Sequence, residues 1–257
     1  MTPRVLVSTT SHKREPLLPT LDVFARLGLC DLDLNLHHFI KLDTSCDAVR
    51  AALDANQQRI AMVSGGWCDF FDQPPHLDET TRSVERQLQV ARALGATTLR
   101  LFFGRLSRDA YSAAACGVIA SNLTRLSDRH PGTLFVFESH DGASLDPAIC
   151  REIVERVDRP NIRLNFDPIN FAHAGVDPAA ARECLQPFIA HVHLKGLAAG
   201  QYCEFGEGDV DLTPILRSLL EHGYAGSFTV EYEGPHDGTL RLWRSAQRAR
   251  AALAALA

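Results

Sequence analysis

Four short, β-rich apolar runs each end in a residue able to hold a divalent metal: TLFVFESH at Glu138, NIRLNFDP at Asp167, HVHLKG at His193 and SFTVEYEG at Glu231. A segment of helical length separates each run from the next. In a closed parallel barrel the C-terminal ends of all strands converge on one mouth, so residues spread over about 90 positions can meet there. Two Glu, one Asp and one His form a hard, oxygen-rich set suited to Mn²⁺ or Mg²⁺ and compatible with Zn²⁺. Clustered carboxylates repel one another unless a cation lies between them. The pattern therefore predicts one divalent-metal site and a metal-dependent enzyme.

Each position has a plainer reading as well. Glu138 closes a run that includes Leu134 and Val136, which places it at the mouth; a helix cap or a surface ion pair is the alternative. Asp167 precedes Pro168, and Asp-Pro is a common turn former. His191 and His193 are two apart and share one face of their strand. His193 lies nearer the C-terminal end and is the better ligand, with His191 packing lower. Glu231 and Glu233 also share one face; Glu231 lies within the strand, whereas Glu233 already adjoins Gly234 and Pro235, so Glu231 is preferred as ligand and Glu233 is kept for the surroundings of the metal or for the substrate.

The elements needed to position these residues are legible along the whole chain. Strands are expected at Val5–Ser8, Cys30–Leu36, Arg59–Ser64, Thr97–Phe102, Thr133–Glu138, Ile162–Asp167, Ile189–Leu194 and Phe228–Tyr232. Helical patterns alternate with them at Pro16–Leu27, Ser45–Ala55, Leu77–Leu94, Ala110–Arg129, Pro147–Arg156, Pro178–Leu185, Leu212–His222 and Thr239–Leu256. Eight βα units in 257 residues favour a single (β/α)8 TIM barrel over an open sheet. Gly28, Gly95 and Gly223 follow helical runs where left-handed caps are expected, and Asp146-Pro147 and Asp177-Pro178 are N-cap signals. No linker or low-complexity stretch divides the chain, so residues 1–257 are expected to form one domain. Long loops are expected at Gly65–His76, Pro168–Asp177 and Lys195–Asp211, all on the catalytic side of a barrel; Gly65-Gly66-Trp67 and Phe70-Phe71 are candidates to wall a pocket.

Bulk properties narrow the class further. A net charge of −5 offers no overall attraction for nucleic acid or an anionic membrane. No run reaches the roughly 18 apolar residues of a membrane span, and the apolar stretch of MTPRVLVSTT is too short for a signal peptide. Seven cysteines at wide, irregular spacing suggest neither a zinc knuckle nor a disulfide framework. The expectation is a cytoplasmic enzyme with reduced thiols and a small-molecule substrate; a homo-oligomer is compatible with the sequence but not specified by it.

The segments FESHDG, NFDPINFAHAG, HVHLKG, GEGDVDLTPILRSLLEHGYAG and TVEYEG resemble the sugar-phosphate isomerase/epimerase group of xylose-isomerase-like TIM barrels. LGLCDLDLNL and ARALGATTLRLFFG fit the same pattern, and the resemblance extends from the second strand onward. It implies that Glu138, Asp167, His193 and Glu231 bind one divalent metal. It also implies that Glu138 and Glu231 are the catalytic pair, moving a proton on the carbon beside a carbonyl while the metal stabilises an enediolate. The implied activity is isomerisation or epimerisation of a small sugar or related hydroxy-ketone. The alternative is a metal-dependent dehydratase or lyase of an inosose or dehydroshikimate-like substrate, which shares the first step.

Substrate contacts are expected from His140, two residues past Glu138 at a position that is often polar in the group, and from Lys195, His38 (or its neighbour His37) and Arg100. Asp209 in GEGDVD is read first as a loop cap. The chain departs from the group at Gly196, where many members carry an acid, and at Asn170, where several carry His; His173 is a candidate replacement. The DNA-repair endonucleases that share this barrel need three zinc ions and further His ligands, whereas here the third and fourth strands end MVSGG and LRLFFG. A non-catalytic barrel is disfavoured because all four ligand positions are filled.

Overall fold

The computed structural model describes residues 3–40, 44–72, 76–235 and 238–256. The part of the expected Gly65–His76 loop at 73–75 lies outside the described residues. The expected alternation produces β1 (Val5–Ser8), β2 (Asp31–Asn35), β3 (Arg59–Ser64), β4 (Thr98–Leu101), β5 (Leu134–Glu138), β6 (Ile162–Phe166), β7 (Ile189–Leu194) and, after a small hairpin, β10 (Ser227–Val230). These strands close into a barrel in the order β1-β10-β7-β6-β5-β4-β3-β2, every pair parallel.

Helices cover the outside because each carries one apolar stripe. In α1 (Leu17–Arg26), Leu17, Thr20, Leu21 and Phe24 are buried at helical spacing. The short α2 (His37–Ile40) follows β2, and the other covering helices are α3 (Cys46–Ala55), α4 (His76–Ala93), α5 (Ala113–Arg129), α6 (Pro147–Val157), α8 (Pro178–Leu185), α9 (Thr213–Glu221) and α10 (Gly238–Leu256). Asp146 and Asp177 cap α6 and α8 as expected, accepting from Ala148 and Ala179 N–H groups. Gly28, Gly95 and Gly223 adopt positive φ at the expected helix ends. None of the described helices is long and apolar enough to cross a membrane.

Strand alternation splits the core in two. Outward residues such as Phe135, Phe137, Val192 and Leu194 join the large sheet–helix core. Inside the barrel the buried apolar cluster is small, with Leu6, Met62 and Val136 at its centre. Above it the interior turns polar: Ser8, Asp33, Ser64, Arg100, Asn165, His191, His193 and Thr229 are all buried. A barrel interior is normally packed with branched apolar side chains, so this polar filling marks the end where chemistry is placed.

Three features that bear on the site were not anticipated. The stretch after β6 contains a helix, α7 (Pro168–His173), and the stretch after β7 contains an antiparallel hairpin of β8 (Gly196–Ala198) and β9 (Gln201–Cys203). The third is α2. β10 ends at Val230 rather than Tyr232, although the Glu231 N–H still donates to the Leu194 carbonyl at 3.0 Å. All seven cysteines are free thiols.

Candidate active site

Glu138, Asp167, His193 and Glu231 each bring one ligand atom into a group whose members all lie within 4.8 Å of one another, and all four residues are buried. They come from the ends of β5, β6, β7 and β10, neighbouring strands of the barrel. His193 Nδ1 lies 3.4 Å from Glu138 Oε1, 3.4 Å from Glu231 Oε2 and 3.9 Å from Asp167 Oδ2. Neither ring nitrogen of His193 has a hydrogen-bond partner among the described residues. An orphaned buried imidazole facing carboxylates, with donors of the hard type, fits a small divalent cation.

Asp167 both forms a turn and faces the cluster. Its Oδ1 accepts from the Ile169 and Asn170 N–H groups and so caps α7. Its Oδ2 is left for the interior, 2.9 Å from Lys195 Nζ. The Asp-Pro turn thus fixes the carboxylate that faces the site.

Lys195, read as a substrate contact, is fully buried among acids. Its ammonium donates to Glu233 Oε2 at 2.7 Å and Glu231 Oε2 at 3.4 Å, beneath the Tyr202 ring at 4.5 Å. Arg100 is also buried, with Nε 3.2 Å from Glu138 Oε2 and the guanidinium 4.4 Å from the Phe102 ring centre. A buried charge needs a partner, and these two cations answer only part of the negative charge of Asp33, Glu138, Asp167, Glu231 and Glu233.

The carboxylates respond accordingly. Burial works to raise the Glu138 carboxyl, but Arg100 and His193 hold it well below the usual range. For Glu231 burial likewise opposes, and His193 and Lys195 bring the net shift down. Asp167 goes up, through burial and its acidic neighbours, against the pull of Lys195. His193 is pushed down by burial and up more strongly by Glu231 and Glu138, so its imidazole is raised well above its ordinary value.

Above the ring lies a cavity of about 250 Å³ lined by Lys13, His37, Trp67, Phe102, His140 and Glu233, among others, with Arg100, Glu138 and Glu231 at its floor. His140 has Nδ1 3.7 Å from Glu138 Oε1 and its ring against Phe102 and Trp67. Of the Gly65–Trp67 and Phe70–Phe71 pairings, the first walls this cavity, whereas Phe70 packs on Phe137 in the core. His38 requires a correction. Its Nδ1 lies 3.2 Å from the Glu15 carbonyl and its ring is not among those lining the cavity; His37, one residue earlier on α2, lines it instead. A single turn of helix after β2 rotates the pair, a rotation that a strand reading could not show.

The departures at Asn170 and Gly196 acquire physical reasons. Asn170 Nδ2 donates to Glu138 Oε1 at 3.3 Å and to the Ser139 carbonyl at 2.9 Å, while its Oδ1 accepts from the Tyr202 hydroxyl at 3.0 Å. It therefore occupies the site itself, and His173 stays outside against Tyr202. Gly196 begins β8, where a Cβ would lie 2.3 Å from the Glu204 carbonyl oxygen, leaving no room for an acid. Asp209 is a loop cap, accepting from Ala199 N–H at 2.8 Å. His191 sits lower and pairs with the Thr229 hydroxyl at 2.8 Å.

Asp33 and Tyr202 were missed. Asp33 is fully buried in β2 and accepts from the Ser64 hydroxyl at 2.8 and 2.9 Å; burial, against the opposing pull of His193 and Arg100, raises its carboxyl to about 6. The signal was present in DLDLN, whose alternation places its acids on one face and its leucines on the other.

Comparison with known proteins bears on the fold and the family. An inosose dehydratase of Lacticaseibacillus casei is 27% identical over 137 residues, covering 45% of this chain and 46% of that protein, so the match spans about half the relative's length. A D-tagatose 3-epimerase-like protein superposes with a TM-score of 0.82 at 18% identity, covering 98% of both chains. The IOLI protein, solved with a binding zinc atom, gives 0.80 at 18% identity over 98% of this chain and 97% of that one. These two structural likenesses speak to the fold. A family model described as the xylose isomerase-like TIM barrel matches residues 27–257, and the chain belongs to that family.

Proposed function

We propose that this chain is a divalent-metal-dependent isomerase or epimerase of a small sugar or related hydroxy-ketone. The observation that carries this reading is the pair of buried carboxylates, Glu138 and Glu231, each 3.4 Å from His193 Nδ1 at the floor of a cavity sized for a small polar molecule. Glu138, Asp167, His193 and Glu231 would hold the cation, with Mn²⁺ or Mg²⁺ favoured by three carboxylates and Zn²⁺ also accommodated. When bound, the cation supplies Lewis acidity that withdraws charge from the substrate's carbonyl oxygen.

The chain's own residues do the rest. One of Glu138 and Glu231 takes the proton from the carbon beside the carbonyl, leaving an enediolate. The other returns a proton, to the opposite face in an epimerase or to the neighbouring carbon in an isomerase. Arg100 and Lys195 keep these carboxylates ionised in a dry interior. His140 reaches the substrate from the rim beside Glu138, and Trp67 and Phe102 restrict water.

A second reading is favoured by the inosose dehydratase relative. Proton removal is the same, and the enediolate then loses the hydroxyl on the next carbon as water, its C–O bond breaking as His140 protonates the departing oxygen. Solvent-deuterium incorporation into a panel of ketoses and inososes, with Mn²⁺ added and then chelated, tests both. Metal-dependent exchange beside the carbonyl is the expected result, and the product, epimer or dehydrated ketone, assigns the class. No exchange with any candidate would sink the proton-transfer reading.

A further inference from the structure

Asp33 lies behind the ligand ring rather than in it. Its Oδ2 is 3.9 Å from Nε2 of His193, on the far side of the imidazole from Glu138 and Glu231, which face Nδ1. Both side chains are fully buried. The Asp33 carboxylate is fixed by the Ser64 hydroxyl, which donates to it from β3. β2 and β3 also change register between Leu32 and Asp33, and such irregularities re-aim side chains next to sites. No Lys or Arg lies within ion-pair distance of Asp33 among the described residues; its one such neighbour is His193.

A neutral imidazole carries a proton on one nitrogen and a lone pair on the other, and the partner of the protonated nitrogen decides which is which. We propose that Asp33 is a positioning residue: it holds the proton on Nε2 of His193 and so leaves the Nδ1 lone pair aimed at the cation. The 3.9 Å separation would close to hydrogen-bond length with the cation in place. Carboxylates placed behind metal-bound histidines fix tautomer and ring orientation in this way. Ser64 takes part at one remove, by orienting the carboxylate. The inference rests on the reading of His193 as a cation ligand.

The test compares Mn²⁺ affinity of the wild-type chain with Asp33→Asn, Asp33→Ala and Ser64→Ala, by competition with a chelator. Asp33→Asn keeps the shape and is expected to weaken binding about tenfold, and Asp33→Ala up to about 100-fold. Nitrogen-15 spectra of the Zn²⁺-loaded protein supply a readout that a merely structural role would not move. In the wild type the His193 signals, assigned by their loss in His193→Gln, should show a protonated Nε2, and the Asp33 variants should lose that preference. If the wild type binds no metal, or His193→Gln binds it equally well, the metal reading falls and this inference with it. Binding that depends on His193 but is unchanged in Kd and tautomer by Asp33→Asn and Asp33→Ala would overturn the role of Asp33 alone.

Discussion

Glu138 and Glu231 sit in a nearly dry setting in which an uncompensated carboxylate is costly, yet neighbouring cations keep both below the ordinary carboxylate range. Both are therefore ionised at neutral pH, the form a general base needs. Replacing either by Gln keeps the shape but removes the base, and turnover at saturating Mn²⁺ is expected to fall at least about 100-fold. Circular dichroism should show the fold intact. Wild-type rates in both variants would remove the pair from the mechanism. At this scale the four ring residues were readable because each ends a strand, where a polar residue in an apolar run stands out. Asp33 was passed over although the alternation in DLDLN sets it on one face, because an acid in mid-strand looks like a solvent-facing residue until closure of the barrel turns that face inward. Asn170 was visible only as a departure; that its amide would bridge Glu138 and Tyr202 depends on α7, which Asp167 caps.

Alternating strands and helices were legible as elements because each carries its own periodicity and cap. The hairpin of β8 and β9 was not, since its three-residue strands are too short for a period and its turn is made at Ala199 and Gly200, both at positive φ. That hairpin matters to the site: Gly196 follows Lys195, and Tyr202 on β9 covers the Lys195 ammonium. Buried Glu204, just beyond β9, is held by Arg241 and Arg248 of α10 at 3.1 and 3.2 Å, which ties the hairpin to the last helix. Close approach at Gly196 follows from this arrangement, with a Cβ there meeting Glu204 O at 2.3 Å and Cys203 Sγ at 2.7 Å. Gly196→Asp, which introduces the acid common in the group, is therefore expected to cost about 1–3 kcal/mol from overpacking. That corresponds to a fall in Tm of roughly 2–12 °C for a chain of this size, with kcat reduced as Lys195 shifts. An unchanged Tm would show that the hairpin opens without cost and does not pin Lys195.

In the whole molecule, the barrel gathers Asp33, Glu138, Asp167, Glu231 and Glu233 at one end, with Arg100 and Lys195 as the buried permanent cations beside them. Mutual repulsion among such groups opposes closure of the barrel mouth, so a divalent cation bound there stabilises the native state specifically. Linkage gives the size of the effect: a ligand at 100 times its Kd adds about 2.7 kcal/mol, provided the unfolded chain does not bind it. For a protein of this length that is a rise in Tm of roughly 5–10 °C. Thermal melts of chelator-treated and Mn²⁺-saturated protein should differ by that amount, and the difference should grow with the logarithm of free metal. The same melts on Glu138→Gln distinguish a site effect from weak binding elsewhere on a chain of net charge −5. Loss of one ligand of the ring should shrink the shift, whereas diffuse binding to surface acids would leave it unchanged. Equal melting temperatures with and without Mn²⁺ in the wild type would mean that Lys195 and Arg100 already satisfy the acids, and that the ring is a buried ion-pair network with no place for a metal.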